Sequence, residues 1–199
     1  MIAIIDYGAG NLRSVANTLD LMAAAYRFVS RPEELKGASR IILPGVGHFG
    51  QLMRALDRLD LRAALQDRIQ AGTLFLGICL GFQALLQGSE EAPGELGLGL
   101  LAGRAERFPQ ATRVPHMGWN RLGWTRAAPS NLFRRAGAEP YVYFAHSYYV
   151  PIVPAASASC TYAVTFTAAF EAGSLHGVQF HPEKSGPVGL QIIRNFVEL

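Results

Sequence analysis

Three short stretches of the chain carry residue types that can do chemistry together. The first is Gly77-Ile78-Cys79-Leu80-Gly81. Cys79 follows the apolar run that starts at Thr73 and precedes a helical pattern over Leu80–Leu86. A glycine on each side lets the chain turn sharply from strand into helix. This is the logic of a nucleophile elbow, with a thiol in place of a hydroxyl. At a helix N-terminus the backbone N–H groups and the helix dipole favour a thiolate. The Leu80 N–H would then donate to an oxyanion. The second stretch is Gly177-Val178-Gln179-Phe180-His181-Pro182-Glu183-Lys184. Residues two apart on an extended chain point the same way, so Glu183 can hold one ring nitrogen of His181 and leave the other free. Cys79, His181 and Glu183 together are what thiol acyl transfer requires: nucleophile, acid–base and orienting carboxylate. The third stretch, Pro44-Gly45-Val46-Gly47, is a loop whose N–H groups can face a ligand, and Gly45–Gly47 are candidates for a second oxyanion donor.

The elements that must position these groups follow from the hydrophobic pattern. Strands are expected at Met1–Ile5, Tyr26–Val29, Arg40–Leu43 and Thr73–Gly77. Helices are expected from Leu12 to Met22 or Ala23, over His48–Leu56 and over Leu61–Gln70, with a short helical or turn segment at Arg31–Lys36. Strands alternating with helices through short Gly-rich turns indicate a parallel sheet covered on both faces. In such sheets ligands sit outside the carboxyl ends of the strands. The turns at Asp6–Asn11, Pro44–Gly47 and Cys79 share that edge. Gly88–Gly103 reads as loop. Short β-like runs follow at Gly103–Phe108, Arg121–Thr125, Tyr141–Val150, Ser159–Phe166 and Ser174–Phe180, and a closing helix is expected over Ser185–Leu199. The fold class is therefore α/β: one domain over residues 1–199, a mixed, mostly parallel sheet flanked by helices, and a β-rich C-terminal half.

Composition narrows the function classes. The 199 residues suit one domain with a sizeable core. A net charge of +3 without a Lys/Arg run gives nucleic-acid binding no support. Two cysteines, Cys79 and Cys160, in a domain that needs no disulfide fit a reducing, cytoplasmic setting. No stretch approaches the length of a membrane span, and no signal peptide is expected. The histidines outside the 177–184 stretch lack metal-ligand spacing, so neither metal nor cofactor is expected. Gly45-Val46-Gly47-His48-Phe49-Gly50 does fit a dinucleotide fingerprint, but it follows the third strand, and the Cys79 site already claims that edge. Without further context, Tyr143 and Tyr148 read as core or strand aromatics, Trp119 equally as a buried anchor or an interface residue, which exposure would favour, Lys184 as a surface charge and Asn11 as a helix N-cap.

The motifs resemble a known family. GICLG with Gln83 shortly after, and the terminal HPEKS, resemble class I, triad-type glutamine amidotransferases, whose domain has a flavodoxin-like sheet. DYGAGN at Asp6–Asn11, PGVGHFG at Pro44–Gly50, PHMGWN at Pro115–Asn120 and YFAHSY at Tyr143–Tyr148 narrow the resemblance to the glutaminase subunits of imidazole glycerol phosphate synthase, of histidine biosynthesis. The resemblance implies that Cys79 attacks the side-chain amide of glutamine, that His181 is base and then acid, and that Glu183 orients it. It implies oxyanion donors at Leu80 and in the Gly45–Gly47 loop, which needs rearrangement before it can donate. Gln83, Ser147 and Tyr148 match positions that hold glutamine. Asn11, Trp119, Tyr143 and Lys184 match positions facing a (β/α)₈-barrel cyclase, the partner in a heterodimer that receives the ammonia. The rival readings are a glutaminase subunit of another synthase, a free-standing cysteine amidase or peptidase, and a flavodoxin-like binding module with a structural Cys79.

Overall fold

The computed structural model describes residues 1–9, 11–125 and 130–199. In chain order the elements are β1 (Ile2–Ile5), α1 (Leu12–Asp20), β2 (Tyr26–Val29), β3 (Arg40–Gly45), α2 (Phe49–Arg58), α3 (Leu61–Gln70), β4 (Leu74–Cys79) and α4 (Leu80–Gln83). Then come β5 (Leu86–Ser89), β6 (Leu101–Arg107), β7 (His116–Arg121), β8 (Gly123–Trp124), β9 (Tyr141–His146), β10 (Tyr148–Tyr149), β11 (Ala156–Tyr162), β12 (Val164–Ala172), β13 (Leu175–Val178) and α5 (Gly186–Glu198). Eight strands form the main sheet in the order β2-β1-β3-β4-β13-β12-β11-β8. The first five are parallel, and β12, β11 and β8 extend them antiparallel. Two small sheets, β10-β6-β5 and β7-β9, complete the β-rich half.

The apolar runs are continuous because the central strands are covered on both faces. Ala3 and Ile5 of β1, with Ile41 and Leu43 of β3, face the layer that holds Leu52, Leu56 and Leu65 of α2 and α3. The intervening Ile2, Ile4 and Ile42 face the layer of Val15, Leu19, Ile192 and Phe196 from α1 and α5. Period-two alternation thus sorts one strand's residues into two cores. The carboxyl ends of β1, β3 and β4 open on one edge, as expected. Gly10, in the expected Asp6–Asn11 turn, lies outside the described residues.

Several boundaries differ from the sequence reading. The helical pattern over Leu80–Leu86 stops at Gln83 because the incoming 98–101 segment takes the carbonyls that a further turn would use. The Leu98 N–H donates to the Ala84 carbonyl at 2.7 Å and the Leu101 N–H to that of Leu85 at 2.9 Å. Leu86 accordingly starts β5, so the expected Gly88–Gly103 loop contains the end of one strand and the start of another. The single strand expected at Ser159–Phe166 is a hairpin, β11 and β12, reversing at Ala163 with φ 60°. No Gly, Pro, Asn or Asp marks that turn, and the β-branched residues around it mask the reversal. The PHMGWN stretch contains β7, paired residue by residue with β9. The Tyr141–Val150 run breaks at Ser147, and α1 ends at Asp20, before Met22.

The centre of the fold is a close nesting of β3, β4 and α4. A Cβ on Gly81 would lie 1.9 Å from the Leu43 carbonyl oxygen, and one on Gly45 would lie 2.3 Å from the Gly81 nitrogen. Both contacts are with backbone, which has nowhere to move. Gly81→Ala is therefore expected to destabilise the fold by about 3 kcal/mol or more, measured by urea denaturation. Gly94→Ala, whose Cβ meets open space, is expected to stay within about 0.5 kcal/mol of the parent.

Candidate active site

Strand β4 ends on Cys79 itself, whose φ of 54° and ψ of −108° lie outside the regions a side-chain-bearing residue ordinarily adopts. The surrounding register holds that conformation. Gly45 pairs with Cys79 across β3–β4, and Ile78 pairs with Val178 across β4–β13. The turn brings Leu80 to the first position of α4, where its N–H has no acceptor within the helix. Cys79 is 6% exposed, at the floor of a cleft of about 290 Å³. That volume suits one amino-acid-sized ligand.

The 177–184 stretch leaves β13 beside this elbow. His181 is pinned to β9: its N–H donates to the Tyr143 carbonyl at 2.8 Å, and the Ser185 hydroxyl donates to its own carbonyl at 2.7 Å. His181 Nδ1 meets Glu183 Oε1 at 2.9 Å, with both side chains almost fully buried. Glu183 Oε2 is buried without a hydrogen-bond partner, so the imidazole is the carboxylate's main counterpart. Burial opposes a charge on His181, but the Cys79 sulfur, and after it Glu183, outweigh burial and push the imidazole up to about 10. The ring is therefore an imidazolium at neutral pH, directed at the sulfur.

Gln179 is a site residue that the sequence reading left out. It is fully buried, and its Nε2 donates to Cys79 Sγ at 3.7 Å. The same alternation that linked His181 with Glu183 points two residues back to Gln179. Its amide orientation is dictated from outside. Gln83 Nε2 donates to the Tyr148 carbonyl, which can only accept, at 2.7 Å, and to Gln179 Oε1 at 3.1 Å. That leaves Gln179 Nε2 facing the sulfur. Ser147 and Tyr148 line the cleft with Gln83.

The Pro44–Gly47 loop lines the same cleft through Val46 and Gly47. The Val46 N–H is engaged in this conformation: it donates to the Tyr7 hydroxyl at 3.2 Å, and that hydroxyl reaches the Val46 carbonyl at 3.4 Å. Burial keeps the Tyr7 phenol above its ordinary value, so it stays protonated and can do both. In this conformation the Val46 N–H is thus engaged, whereas that of Leu80 has no acceptor within α4. Gly45 packs on Leu80 and Gly81 rather than offering its backbone to a phosphate, which argues against the dinucleotide reading of this loop.

The remaining sequence candidates divide. Trp119 and Tyr143 are direct cross-strand partners, with ring centroids 6.2 Å apart, and Lys184 Nζ lies 5.9 Å from the Tyr143 ring. Trp119 is 56% exposed, so the core reading fails for it. Asn11 sits at the N-cap of α1, but its side chain accepts from the Ser14 hydroxyl at 2.6 Å rather than from a backbone N–H. No hydrogen bond joins it to the Trp119 group among the described residues. Nor do three or more His, Cys, Asp or Glu residues come together among them as a metal site.

Two outcomes are expected from this geometry. His181→Asn should slow alkylation of Cys79 by iodoacetamide at pH 7 roughly tenfold or more, read by peptide mass spectrometry. Cys160, whose thiol burial pushes up to about 12, should stay unmodified in both proteins. The linkage also has a sign. Stability contributed by charged His181 is fully present below its ordinary value and is lost as pH rises through about 10. The urea midpoint of the parent should therefore fall more between pH 7 and 10.5 than that of His181→Asn.

The chain matches the family model for glutamine amidotransferase class-I over residues 3–199. It is 49% identical over 200 residues to the imidazole glycerol phosphate synthase subunit HisH of Methanothermobacter thermautotrophicus, spanning 100% of this chain and 98% of the relative. It is 44% identical over 199 residues to the subunit of the same name from Deinococcus radiodurans, spanning 98% of this chain and 92% of the relative. Among solved structures, a glutamine amidotransferase superposes with a TM-score of 0.78 at 18% identity, covering 100% of this chain and 98% of the other. The PurLQS structure from Thermotoga maritima superposes at 0.76 and 21% identity, covering 99% and 97%. Nucleophile elbow, buried His–Glu pair, parallel sheet and full-length similarity agree: this chain belongs to the class-I glutamine amidotransferases, within the HisH group of imidazole glycerol phosphate synthase subunits.

Proposed function

We propose that this chain is the glutaminase subunit of an imidazole glycerol phosphate synthase, that residues 1–199 act as one glutamine amidotransferase unit, and that it works in the cytoplasm. The observation that carries the chemistry is the buried His181–Glu183 pair directed at Cys79, which sits on a strained turn at the floor of a small cleft. Full-length identities of 42–49% to subunits of that name carry the synthase assignment.

In this reading Cys79 Sγ attacks the side-chain carbonyl carbon of glutamine, and the C=O π pair moves onto oxygen to give a tetrahedral oxyanion. The Leu80 N–H donates to it, and the Val46 or Gly47 N–H joins once the Tyr7 contact is released. The C–N bond breaks as His181 protonates the nitrogen, and ammonia leaves. Water, deprotonated by His181, then attacks the γ-glutamyl thioester and releases glutamate and the thiol. Glu183 holds Nδ1 throughout. Gln83 has both amide hydrogens engaged within the protein, which leaves its oxygen to accept from the substrate's ammonium. Ser147 and Tyr148 close the other side.

The acceptor of the ammonia is a substrate held by another chain, a (β/α)₈-barrel cyclase bound as a heterodimer. Among the candidates for that contact, exposed Trp119 and Lys184 flank half-buried Tyr143, with Met117, 64% exposed, on the strand of Trp119. Asn11 is the fourth, at the start of α1. No helix among the described residues is long and apolar enough to cross a membrane.

The test is glutamate release from glutamine, with and without the cyclase and its nucleotide ligand. Release should rise by roughly a hundredfold or more in the complex, matching a missing oxyanion donor in the isolated chain, and Cys79→Ala should abolish it. Trp119→Ala should weaken cyclase binding by roughly tenfold or more in a titration, without slowing alkylation of Cys79. Cys79-dependent release that ignores the cyclase would move the assignment to a free-standing amidase.

A further inference from the structure

The Tyr148 carbonyl accepts two hydrogen bonds. One comes from Gln83, as described above. The other comes from His146 Nδ1 at 2.8 Å. A carbonyl can only accept, so His146 must carry its proton on Nδ1. With that ring neutral, its Nε2 is an acceptor, and it faces His116 Nδ1 at 3.1 Å. His116 must therefore also carry its proton on Nδ1. Its own Nε2 is left to accept from the Asn120 side chain at 3.4 Å, and Asn120 also donates to the Thr161 carbonyl at 3.3 Å. One acceptor thus orders a directional chain from Asn120, on the outer strand β7, to the rim of the cleft. From there Gln83 continues it to Gln179 and the Cys79 sulfur.

The surroundings suit rings that do not ionise. His116 and His146 are 4% and 6% exposed. His116 stacks on Tyr162 at 4.0 Å and on Phe144 at 4.8 Å between centroids, and Phe108 and Phe166 flank His146. Burial holds His116 down to about 4. His146 is held down to about 3 by burial first, against the opposing Tyr148 hydrogen bond, and further by His116 and His181. A second cation beside the His181 imidazolium is thereby avoided.

We propose that His116 and His146 are positioning residues for the glutaminase reaction: a single-tautomer relay that fixes the Tyr148 carbonyl, and through it the Gln83 and Gln179 amides, at the substrate cleft. The proposal rests on the glutaminase reading. It also gives β7, which carries Trp119, a direct hydrogen-bonded route to the substrate-holding residues.

The experiment has two arms. In the histidine-labelled chain at pH 7, long-range proton–nitrogen NMR should find both rings protonated on Nδ1. An Nε2 proton on either ring overturns the relay. In the chain with its cyclase, His116→Phe keeps the ring stack but removes the donor. It should raise KM for glutamine roughly fivefold or more, with kcat within twofold, while the Tyr148 carbonyl keeps His146 protonated on Nδ1. His116→Asn, whose amide nitrogen sits where Nδ1 was, should restore KM. An unchanged KM in His116→Phe, or equal losses in Phe and Asn variants, overturns the positioning role. Absence of glutamate release by the parent complex would sink the glutaminase reading instead, and the tautomers would still decide the relay.

Discussion

The site depends on one constraint: a cysteine held with positive φ at the end of a central parallel strand. An L-residue does not rest there unaided, and such strain persists only where the surrounding structure over-determines it. Here β3 and β13 clamp β4 on both sides up to the turn, and α4 presses so close that Gly81 touches the Leu43 carbonyl. The thiol is exposed to the cleft because the backbone beneath it cannot relax. The same nesting places the Leu80 N–H beside the sulfur, so both are products of one piece of packing.

Around that turn the polar groups are ordered by acceptors that have no alternative role. Glu183 can only accept when ionised, so it fixes the His181 ring. The Tyr148 carbonyl can only accept, so it fixes Gln83, and Gln83 fixes Gln179 on the sulfur. Buried amides and imidazoles can each be read in two orientations, and one unambiguous acceptor removes the choice. The Val46 peptide shows the converse. Tyr7 can donate and accept, and it holds both sides of that residue. The Leu80 N–H is therefore left without a helical acceptor while that of Val46 is held by Tyr7.

The exposed aromatic group lies on the small β7–β9 ribbon, which packs over the cleft through β9 and the His181 turn. Tyr143 belongs to both: its ring faces Trp119 and Lys184, while its carbonyl receives the His181 N–H. A contact made on this surface is one residue from the acid–base group. Surface and site are therefore mechanically close, and no long path is needed to connect them.

The sequence by itself determined the catalytic types and most of the parallel half. Local rules were sufficient there: glycines flanking Cys79, the two-residue step from His181 to Glu183, and apolar runs at the spacing of buried strands. The grouping of Trp119 with Lys184 was legible only through family motifs, because an exposed aromatic or a charge has no local signature of its neighbours. Tertiary structure decided the rest. It ended the helix after Gln83, because a distant segment competes for the Ala84 and Leu85 carbonyls, and it turned the chain at Ala163 without any turn residue. It brought Gln179 to the sulfur, Tyr7 to the Val46 peptide and His116 to His146. These pairings are separated by tens of residues along the chain, and their hydrogen-bond directions follow from which buried groups can only accept. That information exists only once the chain has folded.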